Sequence, residues 1–304
     1  MSIQRLFSPK SRPLVLGHRG SPHHFQENTL DGFQHALALG ADGVELDVFL
    51  TLDHQVVCFH DEETERLTGV KGKITEMTWA LVSQLRIQRH LDPGDGTVRD
   101  FGTWRPIPRL EEVLEALPAT AIINVELKPS QPRWGERHVG AEVGRLIQRK
   151  SASQRAFVTG FDFFKLRALE QETPGIHVGF AYDDDFADYL PAWLDQMPEL
   201  RPTFGTNRVS WINALAEADK VGRFIGASVV GLERSLVDDD TVAKLHAHRR
   251  AVGVYTLFPL DQRNVKGTVM PPPVQDAEAR RLQAMGVDWC ETDDPERLLR
   301  VFDA

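Results

Sequence analysis

Two carboxylates interrupt an otherwise apolar stretch of the sequence, VELDVFL at residues 44–50. Glu45 and Asp47 are two positions apart, so both side chains lie on one face if the stretch forms a β-strand. Burying two ionised carboxylates side by side is costly unless an opposite charge compensates them. We therefore expect these two residues to face a bound cation.

Other polar residues whose side chains could take part in catalysis or binding follow short apolar runs that are typical of strands. They occur in GHRG near the N-terminus, in CFHD after the carboxylate pair, and in VELK near residue 126. Active sites of α/β barrels are built where the strands end, so these residues are candidates for one common site. The candidates are His18, Arg19, His60, Glu126 and Lys128.

A hairpin is expected to bring His60 towards the carboxylates. Only the segment TLDH separates VELDVFL from the apolar run QVVCFH, which is too short for a parallel crossover. If the chain turns near Asp53, Phe59 lies opposite Asp47 and His60 lies next to that pair.

The residue types favour metal-assisted cleavage of a phosphodiester. Three carboxylates would supply only oxygen ligands, which select a hard cation such as Mg²⁺ or Ca²⁺, with Mn²⁺ as a third option. Two histidines suit general acid/base catalysis, and an arginine and a lysine suit phosphate binding. Simpler alternatives remain: Glu126 and Lys128 could form a surface ion pair, and Arg19 could pair with Glu27 or Asp61.

The order of the elements predicts an α/β fold, a (β/α)₈ TIM barrel. Short apolar runs alternate with helical patterns along the chain, which favours a parallel sheet. An open doubly wound sheet is the alternative. Without the hairpin's return strand, the expected strands are 14–18, 44–50, 121–127, 156–161, 177–182, 227–233, 251–257 and 288–292.

Residues 62–108 do not fit a barrel unit. The part DPGDGTVRDFGTWRPIP is rich in Gly, Pro and Asp and is expected to form a loop. We interpret 62–108 as a small insertion on the catalytic face, after the second barrel strand and its hairpin. We interpret 199–210 and 259–275 as further loops, and residues 1–304 as a single barrel domain.

Length, charge and cysteine content narrow the class of protein. A chain of 304 residues is normal for one barrel, and a net charge of -9 disfavours nucleic acid as a partner. Cys58 and Cys290 both lie in apolar runs, so we expect buried free thiols in a reducing compartment. The sequence shows neither an apolar signal region nor an 18-residue apolar run, so we expect a cytoplasmic protein without a membrane span. The sequence leaves the oligomeric state open.

The motifs closely resemble those of the glycerophosphodiester phosphodiesterase family. The resemblance lies in HRG, in ENTLDGFQHALALGADGVELDVFLTLDHQVVCFHD, and in the later blocks PIPRLEEVLEAL, NVELKP and GVDWCETDDPERL. It spans nearly the whole chain and is most specific in the first sixty residues. It implies a (β/α)₈ barrel that hydrolyses glycerophosphodiesters to glycerol 3-phosphate and an alcohol with a divalent cation.

The resemblance also implies a role for each matching residue. His18 and His60 would be the acid/base pair, Glu45, Asp47 and Glu126 the metal ligands, and Arg19 and Lys128 the phosphate-binding residues. Tyr255 stands where the family usually has a substrate-contacting Trp, and Phe258 stands where it has an Asn. These two departures leave the leaving group open. One alternative is lysophospholipase D or sphingomyelinase-D-like activity on the same scaffold. Another is a non-catalytic phosphodiester-binding protein.

The block Glu27-Asn28-Thr29 matches the family too. We interpret it mainly as a helix start and loop brace, because Asn28 and Thr29 can cap a helix.

Overall fold

The computed structural model describes residues 3–128, 137–183, 202, 208–261 and 270–304. Within them, eight parallel strands form a closed barrel, and a ninth strand, β3 (Val56–Cys58), extends it on one side. The barrel strands are β1 (Leu14–Gly17), β2 (Gly43–Leu50), β8 (Ile122–Leu127), β9 (Ala156–Gly160), β10 (His177–Tyr182), β11 (Val229–Glu233), β12 (Ala251–Leu257) and β13 (Trp289–Thr292). The strands between β3 and β8 lie within residues 62–108, the segment that the sequence analysis interprets as an insertion.

The barrel closes because β1 pairs with both β13 and β2. Leu14 pairs with Trp289, and Leu16 pairs with Gly43, both in parallel register. The expected barrel is therefore confirmed, and the open sheet is excluded. Gly43 is required at the β2–β8 contact, because a Cβ atom there would lie 2.0 Å from the carbonyl oxygen of Ile122.

Helices follow the strands and cover the outer face of the barrel. Their buried side chains pack against the outward residues of the strands, such as Val44, Leu46 and Val48 of β2. Thr29 caps the first of these helices, as expected from the sequence, and Asp162 caps another. The helices are Leu30–Ala38, Leu110–Ala116, His138–Arg149, Phe163–Glu172, Arg208–Ala218, Lys220–Ile225, Asp239–Ala247, Pro272–Met285 and Pro295–Asp303.

The amino-terminal end of the barrel is filled with apolar side chains. A short 3₁₀ helix, Ile3–Phe7, supplies Ile3 and Leu6 to this cluster. The strands contribute the rest, namely Leu14, Leu16, Ile122, Phe157, Val229, Ala251 and Trp289. Because this end is packed and apolar, the polar side chains of the barrel interior lie towards the opposite end.

The hairpin forms with the expected register. Strand β3 runs antiparallel to β2, with Val48 opposite Cys58, and the amide of Phe59 donates to the carbonyl of Asp47 at 3.0 Å. This brings the chain back beside the carboxylates of β2. Both cysteines, Cys58 and Cys290, are buried free thiols.

The segment after the hairpin has its own small apolar cluster, which includes Phe59, Ile74 and Ile107. It contains the helices Glu65–Thr68 and Trp79–Val82 and the 3₁₀ helix Ile74–Glu76. The expected loop at 92–108 is partly wrong, because two short strands lie in it. The two strand pairs of the segment are β4 (Arg86–Ile87) with β7 (Arg105–Pro106), and β5 (His90–Leu91) with β6 (Arg99–Asp100).

Much of the two other expected loops, 199–210 and 259–275, lies outside the described residues. Of the parts that are described, residues 208–210 belong to the helix Arg208–Ala218. Residues 272–275 belong to the helix Pro272–Met285. The prediction of a loop is therefore wrong for 208–210 and for 272–275. The helices in the described ranges are all too short or too polar to span a lipid bilayer.

Candidate active site

Three carboxylates converge at the carboxyl end of the barrel. Oxygen atoms of Glu45, Asp47 and Glu126 lie within 4.8 Å of one another. The register explains this, because Asp47 of β2 pairs with Glu126 of β8, and Glu45 lies two residues earlier on the same inward face. The structure thus brings together the three residues that the sequence suggested as metal ligands.

Some buried oxygen atoms of the carboxylate cluster accept no hydrogen bond from the described part of the protein. Glu45 and Asp47 are each only 1% exposed. Glu45 Oε1 and Asp47 Oδ1 are buried and accept no hydrogen bond from the residues that the structure describes. Buried oxygens of this kind normally need a partner, and an oxygen-only set of three carboxylates fits a hard divalent cation.

The two β2 carboxylates differ in their electrostatic surroundings. Burial raises the pKa of Glu45 well above its ordinary value, and the neighbouring Asp47 adds to the effect. Burial acts in the same direction on Asp47, but Lys128, His60 and Arg19 outweigh it and lower the pKa of that carboxyl. Of these two carboxylates, Glu45 therefore has the greater need of a further positive charge, such as a bound cation.

Asn28 positions Asp47, a role that the sequence did not indicate. Asn28 Nδ2 donates to Asp47 Oδ2 at 2.8 Å, and Asn28 Oδ1 accepts from the Asp47 amide at 3.1 Å. Asn28 has a left-handed backbone with φ of 56°, which asparagine tolerates better than most residues. Only Thr29 caps the helix, by accepting from the Gly32 amide at 3.2 Å.

Arg19 and Lys128 surround the carboxylates with positive charge. The Arg19 amide donates to Glu45 Oε2 at 3.0 Å, and its Nε lies 3.3 Å from Asp47 Oδ2. Lys128 Nζ lies 3.4 Å from Asp47 Oδ1 and forms an ion pair with Glu126. Although burial alone would lower them, the carboxylates raise the pKa values of both side chains above their ordinary values.

His18 lies beside Glu45 and is held by a carboxylate from the last strand. His18 Nδ1 is 2.6 Å from Asp293 Oδ1, and His18 Nε2 is 3.9 Å from Glu45 Oε2. The other oxygen of Asp293 accepts from the Leu260 amide at 2.6 Å. Asp293 was missed because nothing but its place after the strand DWCET, in the block TDDP, marks it in the sequence.

His60 is held in a similar way by its neighbour. Its Nδ1 lies 2.6 Å from Asp61 Oδ1. Burial lowers the pKa of His60, with Arg19 and Lys128 adding to the effect, so this imidazole is mainly neutral near pH 7. Both histidines help to lower the pKa of Asp47. His60 directly follows Phe59, whose amide donates to the carbonyl of Asp47 at 3.0 Å.

Tyr255 lies at the carboxyl end of β12, on the side of the barrel near β10. Its hydroxyl donates to the carbonyl of Tyr182 at 2.9 Å, and its ring meets the edge of Phe161 with centroids 6.3 Å apart. Burial raises the pKa of its hydroxyl well above the ordinary value. Substrate binding by Tyr255 stays a prediction.

A further buried carboxylate lies below the cluster and was also missed from the sequence. Glu291 Oε1 accepts from Asn124 Nδ2 at 2.7 Å and from Trp289 Nε1 at 3.0 Å. Burial raises its pKa to about 6. Asn124 is the strand partner of Glu45, so this network supports the floor of the site.

Comparisons with known proteins agree with this arrangement. Residues 18–297 match the model of the glycerophosphoryl diester phosphodiesterase family. A glycerophosphodiester phosphodiesterase from Caldanaerobacter subterraneus subsp. tengcongensis is 32% identical over 175 residues, which are 56% of this chain and 67% of that protein.

Solved structures share the fold. A protein from Silicibacter pomeroyi, assigned to the glycerophosphoryl diester phosphodiesterases, aligns with a TM-score of 0.75 and 23% identity over 99% of this chain and 97% of its own. A phosphodiesterase from Oleispira antarctica, solved with the product sn-glycerol-3-phosphate, aligns with a TM-score of 0.65 and 21% identity. That alignment covers 96% of this chain and 98% of the other.

Proposed function

The chain belongs to the glycerophosphoryl diester phosphodiesterase family, and from this premise we propose that it hydrolyses glycerophosphodiesters to glycerol 3-phosphate and an alcohol. The observation that carries the proposal is the convergence of three carboxylates at one end of the barrel. Two carboxylate-held histidines and two cationic side chains surround them. This combination suits attack on a negatively charged phosphodiester.

Glu45, Asp47 and Glu126 would hold the divalent cation. The donor set contains only carboxylate oxygens, so Mg²⁺ or Ca²⁺ is favoured, and Mn²⁺ is compatible. When bound, such a cation polarises a phosphate oxygen and stabilises the charge that develops there. Glu45 Oε1 and Asp47 Oδ1 support this assignment, because neither accepts a hydrogen bond from the described residues, and only Asp47 Oδ1 has a cationic neighbour in Lys128 among them.

The histidines would move the protons. Asp293 and Asp61 each accept from a histidine Nδ1, which leaves the Nε2 atom of both rings for the substrate. One histidine accepts the proton of the attacking oxygen, which belongs to water or to the neighbouring glycerol hydroxyl. Attack by the hydroxyl forms a cyclic phosphate, and water then opens this ring to give glycerol 3-phosphate. The other donates a proton to the alcohol oxygen as the phosphorus–oxygen bond breaks. Which histidine accepts and which donates stays open.

Arg19 and Lys128 would bind the phosphate. Both carry full positive charge at neutral pH, because the carboxylates raise their pKa values. Their side chains border the carboxylate cluster, so a phosphate placed beside the cation would also lie within their reach. Tyr255 is proposed to contact the alcohol part of the substrate from the opposite side.

A turnover assay tests this proposal. Purified protein is incubated with a panel of glycerophosphodiesters, with Mg²⁺, Mn²⁺, Ca²⁺ or a chelator, and glycerol 3-phosphate is measured enzymatically. We expect release of glycerol 3-phosphate that stops with chelator and returns with a divalent cation. No turnover with any metal across the panel would instead favour a non-catalytic phosphodiester-binding protein.

The same assay separates the lysophospholipid alternative. Glycerophosphocholine and a lysophospholipid with the same head group are compared at equal concentration, with and without detergent. Preference for glycerophosphocholine, independent of detergent, supports the proposal. Faster hydrolysis of the lysophospholipid that depends on detergent would support a lysophospholipase D.

Three further expectations accompany this function. We propose a single barrel domain over residues 1–304, with 62–108 as an insertion on the catalytic face. A small-molecule phosphodiester is the proposed substrate, and the cytoplasm is the proposed location, which cell fractionation would test.

A further inference from the structure

We propose that Arg66, which lies in the insertion, is a positioning residue that holds one histidine and one phosphate-binding arginine of the site in place. It would act through two carboxylates, Asp61 and Glu27. This inference rests on the proposed function, because it concerns the same reaction. It assigns a role in catalysis to a residue that does not itself face the carboxylate cluster.

Arg66 contacts both carboxylates in a forked geometry. Its Nη2 donates to Asp61 Oδ1 at 3.0 Å and to Glu27 Oε1 at 2.8 Å, and its Nη1 donates to Glu27 Oε2 at 3.1 Å. Its Nε also donates to Asp61. One guanidinium group therefore uses all three of its nitrogens on two carboxylates.

Besides Arg66, each carboxylate contacts one candidate active-site residue. Asp61 Oδ1 lies 2.6 Å from His60 Nδ1. Glu27 Oε1 accepts from Arg19 Nη1 at 3.3 Å. Arg66 is thus one residue removed from His60 on one side and from Arg19 on the other, and it links them.

The linkage joins three separate parts of the chain. Glu27 lies in the loop before the helix Leu30–Ala38, Asp61 follows β3, and Arg66 lies on the short helix Glu65–Thr68. The position of His60 and Arg19 relative to each other therefore depends on the insertion. Without Arg66, two neighbouring carboxylates would repel each other, and both held side chains would lose a fixed partner.

Lysine cannot replace arginine in this arrangement. A guanidinium is planar and presents five donors in a fixed fork, which suits two carboxylates at once. A lysine ammonium keeps the charge but concentrates it at one point. A change from arginine to lysine therefore tests geometry separately from charge.

The experiment compares Arg66→Ala and Arg66→Lys with the wild-type protein and with Arg86→Ala. Arg86 is an exposed arginine of the same insertion, and among the residues that the structure describes its side chain donates only to backbone carbonyls. We expect both Arg66 variants to lower kcat/KM by about 10- to 100-fold, as small displacements of catalytic groups do. Arg86→Ala should stay within about twofold of the wild type.

Chemical rescue gives a readout that a purely structural role would not produce. The Arg66 side chain is 24% exposed, so a small cation can reach the space that Arg66→Ala leaves. Millimolar guanidinium should restore at least part of the activity of Arg66→Ala, whereas sodium or methylammonium should not. If Arg66→Ala does not fold, Arg66→Lys decides, with its fold checked by circular dichroism.

A mutant cycle tests the route through the carboxylates. Arg66→Lys should cost clearly less in an Asp61→Asn background than in the wild type, because its partner is already lost. Additive effects, or wild-type activity of folded Arg66→Lys, would overturn the positioning role. Absence of turnover in the wild-type protein would overturn the proposed function instead, so the two failures are distinguishable.

Discussion

At the residue scale, the site is a set of buried or partly buried carboxylates that differ in how many cationic side chains lie near them. Asp47 lies near Arg19 and Lys128, Glu126 pairs with Lys128, and Glu27 pairs with Arg66. Within the described part of the chain, the Glu45 side chain accepts its hydrogen bond from a backbone amide, that of Arg19. Glu45 is therefore the carboxylate that gains most from a bound cation.

This imbalance predicts different effects on Tm for two matched substitutions. Glu45→Gln should raise the Tm of chelator-treated protein, because it removes a buried carboxylate whose charged form burial and Asp47 disfavour. Glu126→Gln should not raise Tm, because it breaks the ion pair with Lys128. Differential scanning calorimetry with and without Mg²⁺ measures both. A lower Tm for Glu45→Gln in chelator would contradict the argument.

The histidines should affect turnover without affecting the fold. Loss of a general acid or base typically lowers the rate by about 10²–10⁴-fold. We expect His18→Ala and His60→Ala to fall at least that far in kcat/KM, with an unchanged circular dichroism spectrum. His90→Ala is the control, because His90 is exposed and lies in the insertion. Near-normal turnover of either variant would remove that histidine from the mechanism.

Glu27 should make stability depend on pH in the acid range. Burial would raise its pKa, but Arg66 and Arg19 outweigh this and lower the pKa from 4.5 to about 2. The ionised form therefore stabilises the fold above about pH 4.5, and this contribution is lost as pH falls towards 2. The difference corresponds to a contribution on the order of 3 kcal/mol to the free energy of unfolding.

Urea unfolding between pH 6 and pH 3 checks this contribution. The wild-type protein should lose more stability over this range than Glu27→Gln, so that the two free energies of unfolding approach each other at low pH. A constant difference between the two curves would show that Glu27 does not titrate as argued.

At the element scale, the sequence predicted the features that depend on local pattern. The strands, the hairpin register and the inward face of Glu45 and Asp47 all follow from alternation and loop length. Asp293 could not be assigned, because it is 275 residues from His18 and reaches it only after β13 closes against β1. The two-residue strands of the insertion are too short for periodicity to reveal them.

The start of the helix Leu30–Ala38 lies next to the candidate active site. Thr29 caps the helix Leu30–Ala38, and the preceding Asn28 holds Asp47. Thr29→Ala should lower the free energy of unfolding by about 1 kcal/mol, which is typical of a lost N-cap. Thr29→Ser keeps the hydroxyl and should stay close to the wild type in urea unfolding. Equal losses for both variants would mean that the methyl group, and not the cap, matters.

At the scale of the whole molecule, the barrel separates packing from chemistry. Its amino-terminal end is filled by an apolar cluster that includes Ile3, Leu6 and Trp289. Its carboxyl end carries the carboxylates, the histidines and the cationic side chains. The apolar packing and the candidate catalytic groups therefore lie at different ends of the same strands, as in other barrels of this type.

This separation predicts that a core defect at the packed end leaves the chemistry intact. Leu6 is fully buried in this apolar cluster, so Leu6→Ala should lower the free energy of unfolding by about 2–5 kcal/mol. The kcat/KM of the folded fraction should stay near the wild-type value, because the site lies at the other end of the barrel. Gln4→Ala, an exposed change in the same 3₁₀ helix, should alter neither quantity. Urea unfolding measures the free energy of unfolding, and a turnover assay on the same samples measures kcat/KM. A large fall in turnover for folded Leu6→Ala would mean that the two ends of the barrel are coupled through the strands.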